Sequence, residues 1–153
     1  MQKIVIGSDN AGYSLKKVIV QYLGELEVDY EDVGVDSEKA EDLYADVAAK
    51  VVKMIKESDY KKEGILICGT GIGMAITANK YSGIYAAVCH DIYSTKRSKL
   101  SNSANIMTMG ARVIGPELAK ELVKTWLTLE FIPGRSSKNI DAIKNVEDVN
   151  FKI

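Results

Sequence analysis

The sequence predicts an α/β fold with three layers, in which a mostly parallel five-stranded sheet lies between two layers of helices. Short apolar runs alternate along the chain with segments whose apolar residues recur at spacings of three and four. This alternation is typical of parallel strands joined by helical crossovers. With 153 residues and no internal repeat or linker, the chain is expected to form a single domain over residues 1–153.

The first part of the chain contains two predicted strand–helix pairs. The apolar run 4–6 predicts a strand, and a polar turn leads from it into a helix over 15–26, where apolar residues recur at helical spacing. Residues 28–33 predict a second strand on weaker grounds, because three of them are acidic. A helix with one apolar face is expected over 43–57.

Three further strand–helix pairs follow, each an apolar run, a turn and a helix-like segment. The strands are expected at 65–67, 84–89 and 106–109, and the helices at 74–80, 93–100 and 116–127. Pro116 suits the first turn of its helix. After Pro133, the tail 134–153 has a weak helical pattern and is too short for its own core, so we expect it to pack on the body or on a partner subunit.

Two predictions concern side chains of these later helices. The charged residues Lys96, Arg97 and Lys99 are typical of a solvated helix face. Trp126 lies on the apolar side of its helix, which favours a place in the core or in an interface.

The composition excludes several classes of protein. A net charge of −1 with 46% hydrophobic residues argues against a disordered chain and against nucleic-acid binding. No apolar run is long enough for a membrane span, and residues 1–7 lack the pattern of a signal peptide, so a cytoplasmic location is expected. Two cysteines, Cys68 and Cys89, do not form a disulfide framework, and a single histidine makes a zinc site improbable.

The most informative stretch runs from residue 64 to residue 74. The apolar run 65–67 shows no alternation, which predicts a strand buried on both faces and ending at Cys68. Gly69, Gly71 and Gly73 allow a sharp turn in which several backbone N–H groups face one point. Such a turn beside a thiol favours the thiolate and can stabilise a developing oxyanion. From the residues alone, two interpretations stay open: a catalytic cysteine, or a small buried residue on a phosphate-binding loop.

Other chemistry-bearing residues also follow predicted strands. Because the carboxyl ends of parallel strands meet at one edge of a sheet, we expect these side chains to gather there: Asp9, Asn10, Cys68, Thr70, His90, Asp91 and Arg112. Asp9 and Asn10 suit either helix capping or substrate contact. The dinucleotide-binding and P-loop patterns are absent, which argues against classical nucleotide binding. A thiolate beside an oxyanion cradle suits two reactions: acyl transfer through a thioester, or proton abstraction next to a carbonyl.

Three segments together resemble the ribose-5-phosphate isomerase B and galactose-6-phosphate isomerase family. The resemblance extends from about residue 3 to residue 143, and its segments are Gly7-Ser8-Asp9 with Ala11-Gly12, Ile65 to Gly73 with Ala78-Asn79-Lys80, and Asn105 with Gly110 to Gly115. The cysteine–glycine motif is the most specific of them. With this resemblance, the catalytic interpretation of Cys68 is favoured.

The resemblance implies a cofactor-free aldose–ketose isomerase of phosphorylated sugars, ribose 5-phosphate-like or hexose 6-phosphate-like, on a Rossmann-like five-stranded parallel sheet. It implies that Cys68 moves a proton from C2 of the open-chain sugar to C1 through an enediol. Thr70 and the amides of the 69–73 loop would hold the enediolate, and Asp9 would contact sugar hydroxyls and assist ring opening. The implied substrate-binding residues are Asn10, Gly69, Gly71, Gly73, Ser101, Asn102, Arg112, Arg135 and Lys138. No metal is implied.

The chain departs from the family pattern at several of these positions. A histidine usual after the first aspartate is Asn10 here, and the ring-opening histidine before an asparagine is Ser101, followed by Asn102. The tail motif has Ser136 for a histidine and Asn139 for an arginine, with Lys138 as a remaining charge. His90 is the one imidazole left, so His90 or Asp91 is a candidate for ring opening, against a structural role for a lone histidine.

Three functional interpretations follow from this resemblance. The first is an active homodimer or homotetramer with an altered substrate and with active sites at the subunit interface. The second is a cysteine-bearing subunit that needs a paralogous partner. The third is a non-catalytic sugar-phosphate binding protein, which retention of Cys68 and its glycine loop disfavours.

Overall fold

Within residues 3–151, which the computed structural model describes, the predicted α/β architecture is confirmed. The strands are β1 Ile4–Ser8, β2 Tyr30–Asp32, β3 Glu63–Cys68, β4 Ala86–Val88 and β5 Ile106–Gly110. The helices are α1 Tyr13–Glu25, α2 Tyr44–Glu57, α3 Ile72–Ala78, α4 Ile92–Leu100, α5 Pro116–Leu127 and α6 Ser137–Asn150. The last two residues of the predicted tail lie outside the described part.

All strands of the sheet are parallel, in the order β2-β1-β3-β5-β4. From β1 the chain reaches β2 on one side and then β3 on the other, so the direction of winding reverses between β1 and β3. At such a reversal the connecting segments diverge and leave a crevice at the carboxyl ends of the strands. The fold therefore places its ligand crevice between the end of β1 and Cys68.

The two faces of the sheet are covered by different helices. One core contains Ile4, Ile6, Ile65 and Ile67 with residues of α1 and α5, including the fully buried Trp126. The other contains Val5, Leu66 and Cys68 with residues of α2 and α3. Because the central strands β1 and β3 are buried on both sides, their sequences are continuous apolar runs rather than alternating ones.

Two details differ from the sequence predictions. β4 begins at Ala86 rather than at residue 84, because Ile84 still belongs to the preceding turn, where its N–H donates to the Tyr81 carbonyl at 3.2 Å. On the free edge of β4, the carboxamide of Asn79 bonds both the N–H and the carbonyl of Ala86. Lys99 is buried rather than solvated: its ammonium pairs with Glu63 and lies 3.9 Å from the centroid of the Trp126 ring. The prediction of a solvated face was therefore wrong for Lys99, whereas Lys96 and Arg97 are exposed.

The tail forms the regular helix α6, which contacts the body of its own chain. Ile140 is buried, and the Glu147 carboxylate accepts hydrogen bonds from the Gly83 N–H at 2.6 Å and from the Tyr85 hydroxyl at 3.0 Å. Three further apolar residues of the helix, Ile143, Val146 and Val149, are exposed. None of the helices in the described part of the chain combines the length and the apolar character needed to cross a membrane.

Candidate active site

The thiol at the end of β3 faces the glycine turn that follows it. Cys68 is only 4% exposed, and its Sγ accepts a hydrogen bond from the Gly71 N–H at 3.1 Å. Gly71 has φ of +78°, in the left-handed region that favours glycine. Its carbonyl accepts a hydrogen bond from the Thr108 hydroxyl at 2.8 Å, which anchors the turn to β5. The turn thus aims a backbone N–H at the sulfur and fixes the position of the thiol.

The turn after β1 brings a carboxylate to the same edge. The Asp9 carboxylate accepts a hydrogen bond from the Gly12 N–H at 3.0 Å, and Asp9 is 8% exposed. It stabilises the turn before α1 rather than capping the helix itself, whose N-cap is Gly12. The structure therefore does not give Asp9 the capping role, and substrate contact stays a prediction. The second carboxylate oxygen of Asp9 has no protein donor among the described hydrogen bonds.

Arg112 is held by the backbone that extends β5 alongside the glycine turn. The Ala111 N–H donates to the Cys68 carbonyl at 2.8 Å, and the Arg112 N–H donates to the Gly69 carbonyl at 3.0 Å. The guanidinium lies over Gly69, where a Cβ would meet Arg112 Nη1 at 3.2 Å. Within residues 3–151, no carboxylate lies within 4.0 Å of the Arg112 guanidinium. Its positive charge is therefore available to an anionic ligand.

A cavity of about 400 Å³ joins these groups at the carboxyl edge of the sheet. Six of the predicted residues line it: Asp9, Cys68, Gly69, Thr70, Gly73 and Arg112. Four lining residues were not predicted: Ala11, Tyr44, Ile72 and Ile76. Tyr44 could be identified only from the fold, because its ring packs on Gly73, which is far from residue 44 in the sequence. A Cβ on Gly73 would meet the Tyr44 ring at 2.5 Å, so the ring packs directly on the glycine.

Eight of the predicted residues do not line this cavity in the single chain: Asn10, Gly71, His90, Asp91, Ser101, Asn102, Arg135 and Lys138. Asn10 is exposed in the turn after β1, and Asn102 lines a different cavity of about 440 Å³ beside β4. Ser101 is the C-cap of α4, and its hydroxyl donates a hydrogen bond to the carbonyl of Arg97 at 2.9 Å. Two exposed cations, Arg135 and Lys138, lie at the start of α6.

His90 and Asp91 follow β4 and are engaged in backbone hydrogen bonds. The Gly110 N–H donates to Nε2 of His90 at 2.8 Å, and burial lowers the pKa of this imidazole against the opposing charge of Asp91. The Asp91 carboxylate accepts a hydrogen bond from the Ser94 N–H at 2.7 Å as the N-cap of α4, and this bond lowers its pKa. Neither residue lines the cavity at Cys68.

The backbone amides of the glycine turn are not all available to a ligand. The Gly71 N–H is bonded to Cys68 Sγ, and the Ile72 N–H is bonded to the Thr70 hydroxyl at 3.3 Å. Gly73 lies in the first turn of α3, where an N–H has no acceptor four residues earlier in the helix, and it lines the cavity. The amide of Gly73 is therefore the better placed donor for a developing oxyanion.

Larger cavities lie elsewhere on the molecule. One of about 790 Å³ lies at the opposite edge of the sheet, where Glu63 begins β3 and Asn105 precedes β5, and it is bounded by α6. Its lining contains no cysteine. The smaller cavity at Cys68 combines a thiol, a carboxylate, a hydroxyl and a guanidinium at the point where the winding reverses, and it is the candidate active site for that reason.

Comparison with known proteins gives a consistent result. The family described as Ribose/Galactose Isomerase matches residues 4–143 of the chain. Ribose-5-P isomerase B of Listeria innocua is 50% identical over 97% of this chain and 99% of its own length. D-erythrulose-4-phosphate isomerase of Pectobacterium atrosepticum is 46% identical over 94% of this chain and 93% of its own length.

Solved structures extend this similarity to the fold. Ribose-5-phosphate isomerase B of Clostridium thermocellum superposes with a TM-score of 0.90 at 41% sequence identity. The superposition covers 96% of this chain and 98% of the other. The fold is therefore shared over nearly the whole chain.

Proposed function

Since the chain belongs to the ribose/galactose isomerase family and is a sugar-phosphate isomerase, we propose that it interconverts an aldose phosphate and a ketose phosphate through an enediol, with Cys68 as the base. The observation that carries this proposal is the Cys68 thiol, which accepts the Gly71 N–H at 3.1 Å inside a cavity that also holds Asp9, Thr70 and Arg112. No cofactor is needed for this chemistry, since it moves only protons and an electron pair.

The proposed proton transfer takes place at one sulfur atom. The Cys68 thiolate removes the proton from C2 of the open-chain aldose, and the electron pair of the broken C–H bond forms the enediolate. The thiol then returns the proton to C1, while the hydroxyl proton moves from O2 to O1 to give the ketose. Thr70 and the N–H of Gly73 are the donors that we assign to the enediolate oxygens, and Asp9 contacts the sugar hydroxyls.

We assign the phosphate to the cations at the rim of the cavity. Arg112 lies over the glycine turn without a protein carboxylate among the described residues within ion-pair distance, and a guanidinium can bind a phosphate with two parallel hydrogen bonds. Lys138 on α6 and Arg135 just before this helix are exposed, and we propose that they complete the phosphate site.

Replacing Arg112 with alanine is expected to raise KM for a phosphorylated sugar about 10- to 100-fold, the loss that accompanies removal of a charged hydrogen bond. Turnover of the corresponding unphosphorylated sugar, if any, should change little. Arg112→Lys is the matched variant, because it keeps the charge and loses the two parallel hydrogen bonds of the guanidinium. Its KM should fall between those of the wild type and Arg112→Ala. Equal losses on phosphorylated and free sugars would contradict the assignment to phosphate.

We further propose that the active unit is a homodimer or a larger homo-oligomer in which a second copy supplies Arg135 and Lys138 to the site at Cys68. Two observations support this arrangement: neither cation lines the cavity of its own chain, and α6 exposes the apolar side chains Ile143, Val146 and Val149. A paralogous chain in place of the second copy is the alternative.

Mixing two weakly active variants tests this sharing of residues. Cys68→Ala and Arg135→Ala are each expected to be weakly active alone. After co-expression, about a quarter of wild-type activity should return, since half of random dimers are mixed and each mixed dimer holds one complete site. Native mass of the purified chain serves as the control. A monomer with full activity would contradict the proposal, and an inactive homomer that a paralogous chain activates would favour the alternative.

The choice of sugar depends on whether a ring must be opened. Ribose 5-phosphate closes into a furanose, whereas a tetrose 4-phosphate cannot, because its C4 oxygen carries the phosphate. The chain has a single histidine, and the Nε2 of that residue, His90, is engaged by the Gly110 N–H. This lack of a free imidazole favours a tetrose 4-phosphate over a pentose 5-phosphate, in line with the erythrulose-4-phosphate isomerase among the relatives.

A panel of sugars tests the proposed function directly. The purified chain is assayed with erythrose 4-phosphate, ribose 5-phosphate, allose 6-phosphate, galactose 6-phosphate and the free sugars. We expect turnover of phosphorylated sugars, with the highest kcat/KM for the tetrose. A higher kcat/KM for ribose 5-phosphate would reverse the choice of sugar while keeping the isomerase. Absence of turnover by the chain, alone and with a paralogous partner, would contradict the proposed activity.

A further inference from the structure

The imidazole of His90 fills a gap in the hydrogen bonding of the sheet. β4 pairs with β5 as far as Val88 and Thr108, and the Cys89 N–H still donates to the Thr108 carbonyl at 2.8 Å. The next N–H of β5 on that side is that of Gly110, where β4 no longer offers a backbone acceptor. A buried N–H without a partner is costly, and Nε2 of His90 accepts this one at 2.8 Å.

Gly110 is also in direct contact with the glycine turn that follows Cys68. It pairs with Cys68 across the sheet, and a Cβ on Gly110 would meet the Cα of Thr70 at 2.5 Å and the carbonyl of Gly69 at 2.6 Å. The two residues after Gly110 donate their N–H groups to the carbonyls of Cys68 and Gly69. A shift of Gly110 would therefore move the backbone that carries Cys68, Thr70 and Arg112.

We propose that His90 is a positioning residue: its neutral imidazole holds the Gly110 N–H and thereby fixes the distance between the Cys68 turn and Arg112. His90 does not line the cavity, so it acts through Gly110 rather than on the sugar. The role needs a lone pair on Nε2, which leaves the proton of the neutral ring on Nδ1. The hydrogen bond can be tested without a substrate, whereas the effect on turnover rests on the proposed function.

The surroundings of His90 favour the neutral ring at neutral pH. Burial lowers its pKa from the ordinary value, and the carboxylate of the adjacent Asp91 opposes this shift. On the other side of His90, Cys89 is buried, and burial raises the pKa of its thiol, so it stays uncharged. β5 carries no charged residue, and the first charge after it is Arg112, whose guanidinium lies over Gly69. Below neutral pH, protonation of Nε2 removes the acceptor.

The test compares two amide variants of His90. Gln places its side-chain oxygen near the position of Nε2, whereas the shorter Asn does not reach it. His90→Gln should keep wild-type kcat, and His90→Asn should lower kcat about tenfold to a hundredfold, the scale expected from misplaced reacting groups. Both are measured on the preferred sugar phosphate and are normalised to folded protein, so that a loss of stability alone does not alter kcat.

Nuclear magnetic resonance of the Gly110 amide supplies the second readout, which needs no substrate. In the wild type, the Gly110 N–H signal should shift as His90 titrates below neutral pH, and in His90→Gln this shift should disappear. Equal kcat for the Gln and Asn variants, or a Gly110 signal that ignores the titration of His90, would overturn the proposal. If no sugar is turned over, the proposed function fails, and the amide titration still decides whether His90 holds Gly110.

Discussion

Replacement of Cys68 with alanine is expected to lower kcat by about 10²- to 10⁴-fold, the contribution typical of a positioned general base. The protein should stay folded, because the side chain removed is small. The cost should be about 1–2 kcal/mol, from one buried methylene group and the lost hydrogen bond of the Gly71 N–H. KM for the sugar phosphate should change little, since the cations that we assign to the phosphate remain. Steady-state kinetics and a thermal unfolding curve measure the two effects separately.

Cys89→Ala is the matched control for this loss. Cys89 is also buried and also follows a strand, but its side chain belongs to the core on the other face of the sheet. We expect the control to have a similar effect on stability and none on kcat at saturating sugar. If both cysteine variants lost activity equally, or if Cys68→Ala kept most of its activity, the assignment of Cys68 as the base would fail.

Gly12→Ala is expected to have the largest effect on stability among single substitutions near the site. A Cβ on Gly12 would lie 2.3 Å from the carbonyl oxygen of Ile67 and 3.0 Å from the amide nitrogen of Cys68. Both neighbours are backbone atoms of the central strand, so the clash cannot be relieved by rotating a side chain. We expect a cost of about 3 kcal/mol, at the upper end for overpacking, and a lower kcat, because the Asp9 turn is forced away from Cys68.

Gly24→Ala, near the end of the helix that Gly12 caps, separates steric clash from the general effect of replacing glycine. Gly24 has no atom within 4 Å of the position that a Cβ would take, so the change should stabilise the protein by about 0.5–1 kcal/mol through helix propensity. Denaturant unfolding measures both variants. A Gly12→Ala protein as stable as Gly24→Ala would show that α1 and β3 do not approach as closely as described.

The architecture was predictable because its central strands are buried on both faces. Continuous apolar runs at β1, β3 and β5, each followed by a turn and a helical period, leave few arrangements other than a parallel sheet covered by helices. The cavity residues that follow β1, β3 and β5, namely Asp9, Cys68 and Arg112, could be grouped by the same reasoning. Parallel strands bring their carboxyl ends together, whatever the distance along the chain.

Contacts that depend on packing between distant segments were not predictable in this way. Tyr44 begins α2, and nothing in its own segment indicates that its ring meets Gly73. Lys99 belongs to a charged run, yet the pairing with Glu63 and the Trp126 ring buries it. His90 was recognised as the one imidazole, but its bond to Gly110 depends on the point where β4 ends, which the apolar run 84–89 did not mark.

The most direct test of the central claim follows the transferred proton. The reaction is run in deuterium oxide for many turnovers with the preferred sugar phosphate, and nuclear magnetic resonance records deuterium at C1 of the ketose and at C2 of the aldose. We predict that the wild type incorporates deuterium at both carbons and that Cys68→Ala incorporates it far more slowly. Isomerisation without solvent deuterium at either carbon would indicate a hydride shift and would contradict an enediol formed by Cys68.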